Sequence, residues 1–260
     1  MPHFQELWEK YRDKGVHFFA IEGEGMSTLE MEAFVGEWGW KVPFVAAAES
    51  TLAGYDTKSM PIVYVINSFG RCVYQGNGEY EKFIEESLAK VAYPGLGKAE
   101  VGAGAKKAAE AFGKGDYTKA RQLANEALAA NEADEDAKYI VERCNALAKK
   151  WDEEAAKARD EKRFTQAVAI YARIAARFKG SEEGTKADEA SKEMQKDADV
   201  KKEMKAEEAL AKTLVANKKV KGKDAKASAL GKFYEKNTGT RAAEKAKELA
   251  EAIKASSYFK

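Results

Sequence analysis

The feature that most constrains this chain is a change of residue pattern near Tyr93. Before it, aromatic and β-branched side chains occur in short apolar runs between amphipathic segments, which is typical of mixed α/β structure. After Pro94 the chain is rich in alanine, lysine and glutamate at helical spacing. We therefore expect an α/β domain at 1–93, a Gly-rich linker at 94–104 and an all-α domain at 105–260.

Composition excludes several function classes. The chain has 260 residues and a formal net charge of +1, so no overall field favours nucleic acid or an anionic membrane. No apolar run approaches the roughly 18 to 20 residues that span a bilayer, and no transmembrane segment is expected. Because the chain as written starts without a signal peptide's apolar region, it is predicted to be cytoplasmic.

The pattern before Tyr93 predicts the order helix, strand, helix, hairpin, helix. A capping box of Ser27 and Glu30 is expected to start the second helix, because each side chain can bond the other's backbone N–H. The hairpin is expected to turn at Ser68–Gly70. We predict one mixed sheet that contains Val16–Ile21, Ile62–Asn67 and Arg71–Gln75, the last two antiparallel.

A proline directly before the hairpin is the most specific motif of this half. Together with other short matches it resembles the TlpA-like, or redoxin, branch of the thioredoxin fold, over most of residues 1 to about 91. The matching segments are Met1–Leu7, the Val16 strand after Gly15, Ser59-Met60-Pro61, Ile66–Arg71 and Gln75-Gly76.

The resemblance implies a role for the proline segment. In that family a cis-proline occupies the place of Met60-Pro61, and the adjacent backbone pairs with an extended substrate segment. Met60 and Pro61 are therefore candidate substrate- or peptide-binding residues, and a purely architectural turn is the alternative.

The same resemblance implies a departure from the family. The redox Cys-x-x-Cys pair and the central strand that leads into it would lie upstream of Met1. Either the chain is truncated, or it closes its sheet without the usual middle strand; we favour truncation, because nothing obvious replaces the lost pairing. A truncated N-terminus would allow a location in the periplasm or cell envelope instead of the cytoplasm.

The cysteines and histidines of the chain suggest no catalytic centre. Cys72 and Cys144 are far apart and match no Cys-x-x-Cys spacing. A small buried thiol is the ordinary explanation of Cys72, although the neighbouring Arg71 keeps a redox-sensitive thiol as an alternative. His3 and His17 lack companions at ligand spacing. We expect no catalytic residue, no metal site and no cofactor.

The second half contains an internal repeat. Gly115–Ala120 and Lys162–Ala167 each place an aromatic residue three positions before an alanine, and a weaker third copy runs through residues 229–246. These segments resemble divergent tetratricopeptide repeats, whose stacked helix pairs bind proteins or peptides. We expect Tyr117 and Phe164 to be buried at equivalent helix junctions. The matching turns between helices are predicted at Phe178–Ser181 and Lys236–Thr240.

Two further segments, around Gly39 and at Lys218–Lys223, are interpreted as structural and not as ligand sites. Trp38 and Trp40 flank Gly39 and could line a groove, but packing in a core is favoured. The lysine-rich segment Lys218–Lys223 lacks interleaved aromatic residues in the sequence, so it is interpreted as a solvated turn without a ligand.

These observations predict a truncated thioredoxin-like α/β domain followed by an all-α helical-repeat domain. The expected function is a protein- or peptide-binding module without redox turnover in this chain. The alternative is an enzyme, a thiol-disulfide oxidoreductase whose Cys-x-x-Cys pair lies upstream of Met1. Nucleic acid is not an expected partner.

Overall fold

The structure is a computed structural model, and it describes residues 2–46, 61–93 and 95–259. The first part of the chain has the predicted order of helices and strands, with one additional strand before the hairpin. Its elements are α1 (Pro2–Tyr11), a 3₁₀ turn (Arg12–Lys14), β1 (Ala20–Glu22), α2 (Thr28–Trp38), β2 (Phe44–Ala46), β3 (Val63–Ile66), β4 (Cys72–Gly76) and α3 (Glu81–Ala89).

Local signals of the sequence explain how α2 and the hairpin form. Ser27 Oγ accepts a hydrogen bond from the Glu30 backbone N–H, and the Glu30 carboxylate accepts one from the Ser27 N–H, so the predicted capping box is confirmed. Gly70, with φ of +74°, closes the turn between β3 and β4. The two strands pair antiparallel, as predicted.

The prediction of one mixed sheet is wrong for the described residues. β1 pairs only with β2, in parallel, and β3 pairs only with β4, so the described chain has two separate two-stranded sheets. Both sheets pack on one apolar core, which explains how they stay together without hydrogen bonds between them. The buried residues of this core are Leu7, Tyr11, Phe18, Val42, Tyr80 and Ile84.

Helices α1 and α3 lie side by side over these sheets. The Tyr11 hydroxyl lies 2.9 Å from a Glu81 carboxylate oxygen and 2.6 Å from one of Glu85. Burial is the main reason that the pKa of Tyr11 rises to about 12, so the hydroxyl keeps its single proton at neutral pH and shares it between the two carboxylates. Lys10 adds an ion pair to Glu81 at 2.6 Å.

Each of the two sheets is linked to one of these helices. The Gln5 side chain of α1 accepts hydrogen bonds from the backbone N–H groups of Lys41 and Val42, just before β2. Tyr74 of β4 packs on Phe83 of α3, with ring centroids 4.9 Å apart. The segment before β2 is therefore bound to α1, and β4 packs on α3.

The rest of the described chain is helical. Its buried core is built largely from alanines and aromatic rings, which allow close approach of the helices. The helices are α4 (Lys106–Gly113), α5 (Tyr117–Ala130), α6 (Glu135–Asp160), α7 (Phe164–Arg177), α8 (Glu182–Lys196), α9 (Ala198–Asn217), α10 (Lys223–Lys236) and α11 (Arg241–Ala255).

The sequence repeat corresponds to a repeated helix start. Gly115 has φ of +75° and Lys162 has φ of +56°, and each stands two residues before the first residue of α5 or α7. The same hydrogen-bond pattern is found at both turns. The Gly115 N–H donates to the Phe112 carbonyl at 2.8 Å, and the Lys162 N–H donates to the Arg159 carbonyl at 2.9 Å. The alanines that follow each aromatic residue, Ala120 and Ala167, are fully buried.

The prediction that Tyr117 and Phe164 are buried is wrong in degree. Both rings are half-buried and pack against the helical core from its edge. Each is the first residue of its helix, where one side of a side chain faces the preceding turn and solvent. The Tyr117 ring contacts Phe112 and Phe178, with centroids 4.7 and 5.4 Å apart.

We expect Lys162→Gly to stabilise the protein by about 0.5–1 kcal/mol, because glycine adopts positive φ without the steric cost that a β-carbon adds. Lys162→Ala is the matched control, since it keeps the β-carbon. The midpoint of urea-induced unfolding measures both variants. A glycine variant less stable than the alanine variant would contradict the assignment of strain to this turn.

The two predicted turns between helices are confirmed. Gly180 and Gly239 both have φ of +82°, and each is followed by a hydroxyl residue that caps the next helix. Ser181 Oγ accepts a hydrogen bond from the Gly184 N–H, and Thr240 Oγ1 accepts one from the Ala243 N–H.

The Gly-rich segment after Pro94 is fastened to the helical part. Leu96 is buried in the helical core, and its carbonyl accepts a hydrogen bond from the Tyr139 hydroxyl at 3.2 Å. Asp136 forms an ion pair with Lys98 and accepts a hydrogen bond from the Gly102 N–H. Lys98 is also the main reason that the pKa of Asp136 is lowered. Residues 95–102 are therefore tied to the start of α6.

Helix α2 packs into the core formed by the last helices of the chain. Ala33 is fully buried there, and a β-carbon added at Gly36 would lie 2.7 Å from Leu214 Cδ1 of α9. The Glu37 carboxylate of α2 forms a buried ion pair with Lys226 of α10. These contacts join the α/β part directly to α9–α11.

Candidate functional site

Pro61, the described residue of the candidate peptide-binding segment, lies at the open end of the β3–β4 hairpin. Pro61 is an exposed residue in the bend just before β3, and Met60 lies outside the described residues. Val63 is paired with Gly76, so Pro61 stands at the same end of the hairpin as the last residue of β4. The peptide-binding roles of Met60 and Pro61 stay a prediction.

An aromatic cluster stands at this same end of the hairpin. The Tyr74 hydroxyl accepts a hydrogen bond from the Gly78 N–H at 2.8 Å, which holds the loop after β4. The Tyr80 ring lies 6.1 Å from the Tyr74 ring and 5.7 Å from the His3 ring, measured between centroids. The start of α1, the loop before α3 and Pro61 therefore share one end of the fold.

Sequence reasoning missed this cluster. In the sequence His3 lacks companions at ligand spacing, and Tyr80 is placed only on the apolar face of the helix that follows the hairpin. Burial raises the pKa of Tyr80. Tyr74 and Tyr80, on either side of Gly76 and Gly78 in the sequence, are the local signal for this cluster. The approach of His3 to Tyr80 depends on tertiary packing.

This end of the fold offers binding groups rather than an acid-base or metal centre. His3 is exposed, with its Nδ1 3.8 Å from a Glu6 carboxylate oxygen. In the described parts of the chain, no three His, Cys, Asp or Glu side chains are grouped so that they could hold a metal ion. What the site presents is strand backbone beside Pro61 and the half-buried ring of Tyr74, whereas the Tyr80 ring is buried in the core.

The two thiols belong to different parts of the fold, Cys72 to β4 and Cys144 to the helical core. Cys72 is exposed, so the expectation of a buried thiol is wrong; it stands opposite Ile66 at the turn, where the pairing of β3 and β4 is irregular. The length of β3 separates Cys72 from Pro61 by roughly 15 Å. Cys144 is fully buried in α6, and burial raises the pKa of its thiol to about 12.

The expectation that Trp38 and Trp40 pack in a core is wrong. Trp38 is 40% exposed and stacks on Trp40, which in turn stacks on Phe44, with centroids 5.2 and 5.6 Å apart. Phe34 packs against both indoles. Because these rings pack mainly on one another, they form a surface column at the C-terminal end of α2.

None of the helices in the described ranges is both long and apolar enough to cross a membrane.

Comparison with known proteins gives one related group. The thiol-disulfide oxidoreductases ResA of Bacillus thuringiensis (strain Al Hakam) and Bacillus anthracis are each 28% identical to this chain over 95 residues, which are 36% of this chain and 54% of the relative. ResA of Bacillus cereus (strain ATCC 10987 / NRS 248) is 27% identical over 93 residues.

The chain spans about half the length of the curated relatives it matches. No family model and no solved structure matches. The small α/β part followed by helices agrees with this partial similarity. The distant similarity to ResA supports a thioredoxin-like region in this chain.

Proposed function

We propose that this chain is a protein- or peptide-binding module of thioredoxin-like type, in which Met60, Pro61 and the edge of β3 receive an extended segment of a partner. The observation that carries this proposal is the state of β3: it begins two residues after Pro61, and within the described ranges it has a strand partner on one edge alone. An unpaired strand edge is a template for a further strand.

The surroundings of β3 support this use. Val63 and Val65 pack their side chains on the core shared with α1 and α3, so the strand is anchored on one face. An added segment would place alternate side chains toward the same core and toward solvent. Pro61 fixes the backbone at the entrance, because its ring restricts φ.

The test uses a labelled decapeptide of alternating valine and threonine and fluorescence polarisation. Two N-methylated versions, blocked at the odd or at the even amides, are the matched controls. Since one edge of a strand uses alternate N–H groups, one methylated version should lose binding and the other should keep it. Equal loss of binding by the two methylated versions would contradict the proposal. So would a failure of the parent decapeptide and both methylated versions to bind.

Substitutions separate Pro61 from Cys72. Pro61→Ala should weaken binding of the decapeptide by about tenfold, because the entrance backbone becomes less ordered. Cys72→Ala should leave binding unchanged, because this thiol lies at the other end of the hairpin.

The second candidate function is a thiol-disulfide oxidoreductase, supplied with a Cys-x-x-Cys pair by residues upstream of Met1. Two observations favour it: the relatives are thiol-disulfide oxidoreductases, and the strands β1 and β3 belong to two sheets that share a core without pairing. A central strand between them would complete one sheet. A location in the cell envelope would accompany this alternative.

A further inference from the structure

A second surface, distant in sequence from Pro61, combines exposed aromatic and positively charged side chains. The tryptophan patch consists of Trp38, Trp40 and Val215, and its lysine rim consists of Lys218, Lys219 and Lys221. Trp38 and Val215 are 40% and 48% exposed. A β-carbon added at Gly39 would lie 3.5 Å from Val215 Cγ2, so α9 and the end of α2 meet here.

The rim is held beside the patch by a direct contact. The Lys218 ammonium lies 3.6 Å from the centroid of the Trp38 ring, a close cation–π contact. Lys218 and Lys219 donate backbone hydrogen bonds to Val215 and Ala216, so the turn continues the end of α9. All three rim lysines are exposed, and none has an ion-pair partner in the portion of the chain that the structure covers.

We propose that the tryptophan patch and its lysine rim bind an acidic segment of a partner protein that carries an apolar side chain. A half-exposed tryptophan beside an exposed valine is typical of the anchor of a protein interface, because burying it gains apolar contact. Three unpaired cations at the border select a partner with carboxylates on both sides of its apolar residue.

A single-stranded nucleic acid is the other partner class that aromatic and basic groups can receive, but the ring geometry disfavours it. Base stacking needs a free aromatic face. Trp40 stacks with both Trp38 and Phe44, and Trp38 stacks with Trp40 and receives the Lys218 ammonium. The rings thus present mainly edges, which suit aliphatic and aromatic side chains of a protein.

The test uses three labelled probes on the full chain: a nonapeptide with a Leu-Trp-Leu centre between acidic residues, its counterpart with lysines in place of the acids, and an oligodeoxythymidine. The acidic peptide should bind, weaken as salt rises, and lose affinity by about tenfold or more in the triple variant Lys218→Glu, Lys219→Glu, Lys221→Glu. Val215→Asp should also weaken it, because it puts a like charge on an exposed position.

The matched control is the triple variant Lys201→Glu, Lys202→Glu, Lys205→Glu, which changes the same charge on exposed positions at the other end of α9. It should bind the acidic peptide within about twofold of the parent chain. Equal binding of acidic and basic peptides, no binding of the acidic peptide, or the same loss in both triple variants overturns the proposal. If only the oligonucleotide binds, and its binding depends on the lysine rim, the proposal is also overturned and a nucleic acid is the partner instead.

The outcome is independent of the site at Pro61. Pro61→Ala should leave binding of the acidic peptide unchanged, and the rim variant should leave binding of the valine–threonine decapeptide unchanged. The two surfaces are therefore tested by different probes and different substitutions.

Discussion

Lys226→Met should destabilise the protein by about 3–5 kcal/mol, because it leaves the Glu37 carboxylate buried without its counter-charge. Glu37 and Lys226 are only 4% and 8% exposed, and one Glu37 oxygen already lacks a hydrogen-bond partner among the described residues. Urea unfolding followed by circular dichroism measures the loss. We expect the loss to include separation of α2 from α9–α11.

Two controls show whether the effect comes from an unpaired charge. Lys245→Met removes the partner of Glu32 at the same interface, where both side chains are more exposed, and should cost less than about 1 kcal/mol. The double variant Glu37→Leu, Lys226→Met removes both charges and should recover most of the stability. A double variant as unstable as the single one would show that packing, not charge, is lost.

Phe178→Ala should cost about 3–5 kcal/mol, because the ring is completely buried. It packs against Tyr117 and Trp151, with centroids 5.4 and 6.3 Å apart, where α5, α6 and α7 meet. Phe164→Ala should cost less, about 1–2 kcal/mol, since the Phe164 ring is half-exposed at a helix start. Thermal unfolding of the two variants compares them directly. Equal losses would contradict the difference in burial.

Features whose signal is local in sequence were predicted well. The capping box of Ser27 and Glu30 is decided by residues within one turn, and so are the hairpin turn at Gly70 and the helix starts after Gly180 and Gly239. The period between Gly115 and Lys162 identified equivalent turns even though glycine is replaced by lysine. In each case the backbone geometry leaves few alternatives to the residue types found.

Features that depend on distant partners were not predicted. Glu37 and Lys226 are 189 positions apart, and no pattern near either residue indicates the other. Lys218 was interpreted as part of a solvated turn, since its sequence neighbours are not aromatic, yet Trp38 from α2 lies against it. The division into two sheets likewise depends on which strands pair with each other, and side-chain alternation along one strand does not specify its partner.

The candidate site was predicted only in part. The role of Met60-Pro61 was inferred from resemblance and the hairpin from its apolar runs and turn residues, whereas the contact of His3 with Tyr80 arises from the packing of α1 on the loop before α3. For Cys72, its place inside a strand suggested an ordinary small buried thiol. Its position at an irregular turn, opposite Ile66, leaves it exposed.

The central claim is that this chain binds extended segments but does not exchange disulfides catalytically. A thioredoxin-type cycle needs an activated thiolate to attack and a second thiol nearby to resolve the mixed disulfide. Cys72 lies on β4, whereas Cys144 is buried in α6 with a raised pKa, so these two thiols do not form such a pair.

Reduction of insulin disulfides with excess dithiol tests this claim most directly. The compared proteins are this chain, its Cys72→Ala variant and a version extended upstream of Met1 to include a Cys-x-x-Cys pair. We predict that this chain and the Cys72→Ala variant reduce insulin no faster than the dithiol alone, and that turnover is confined to the extended protein. Turnover by the present chain that disappears in Cys72→Ala would contradict the account.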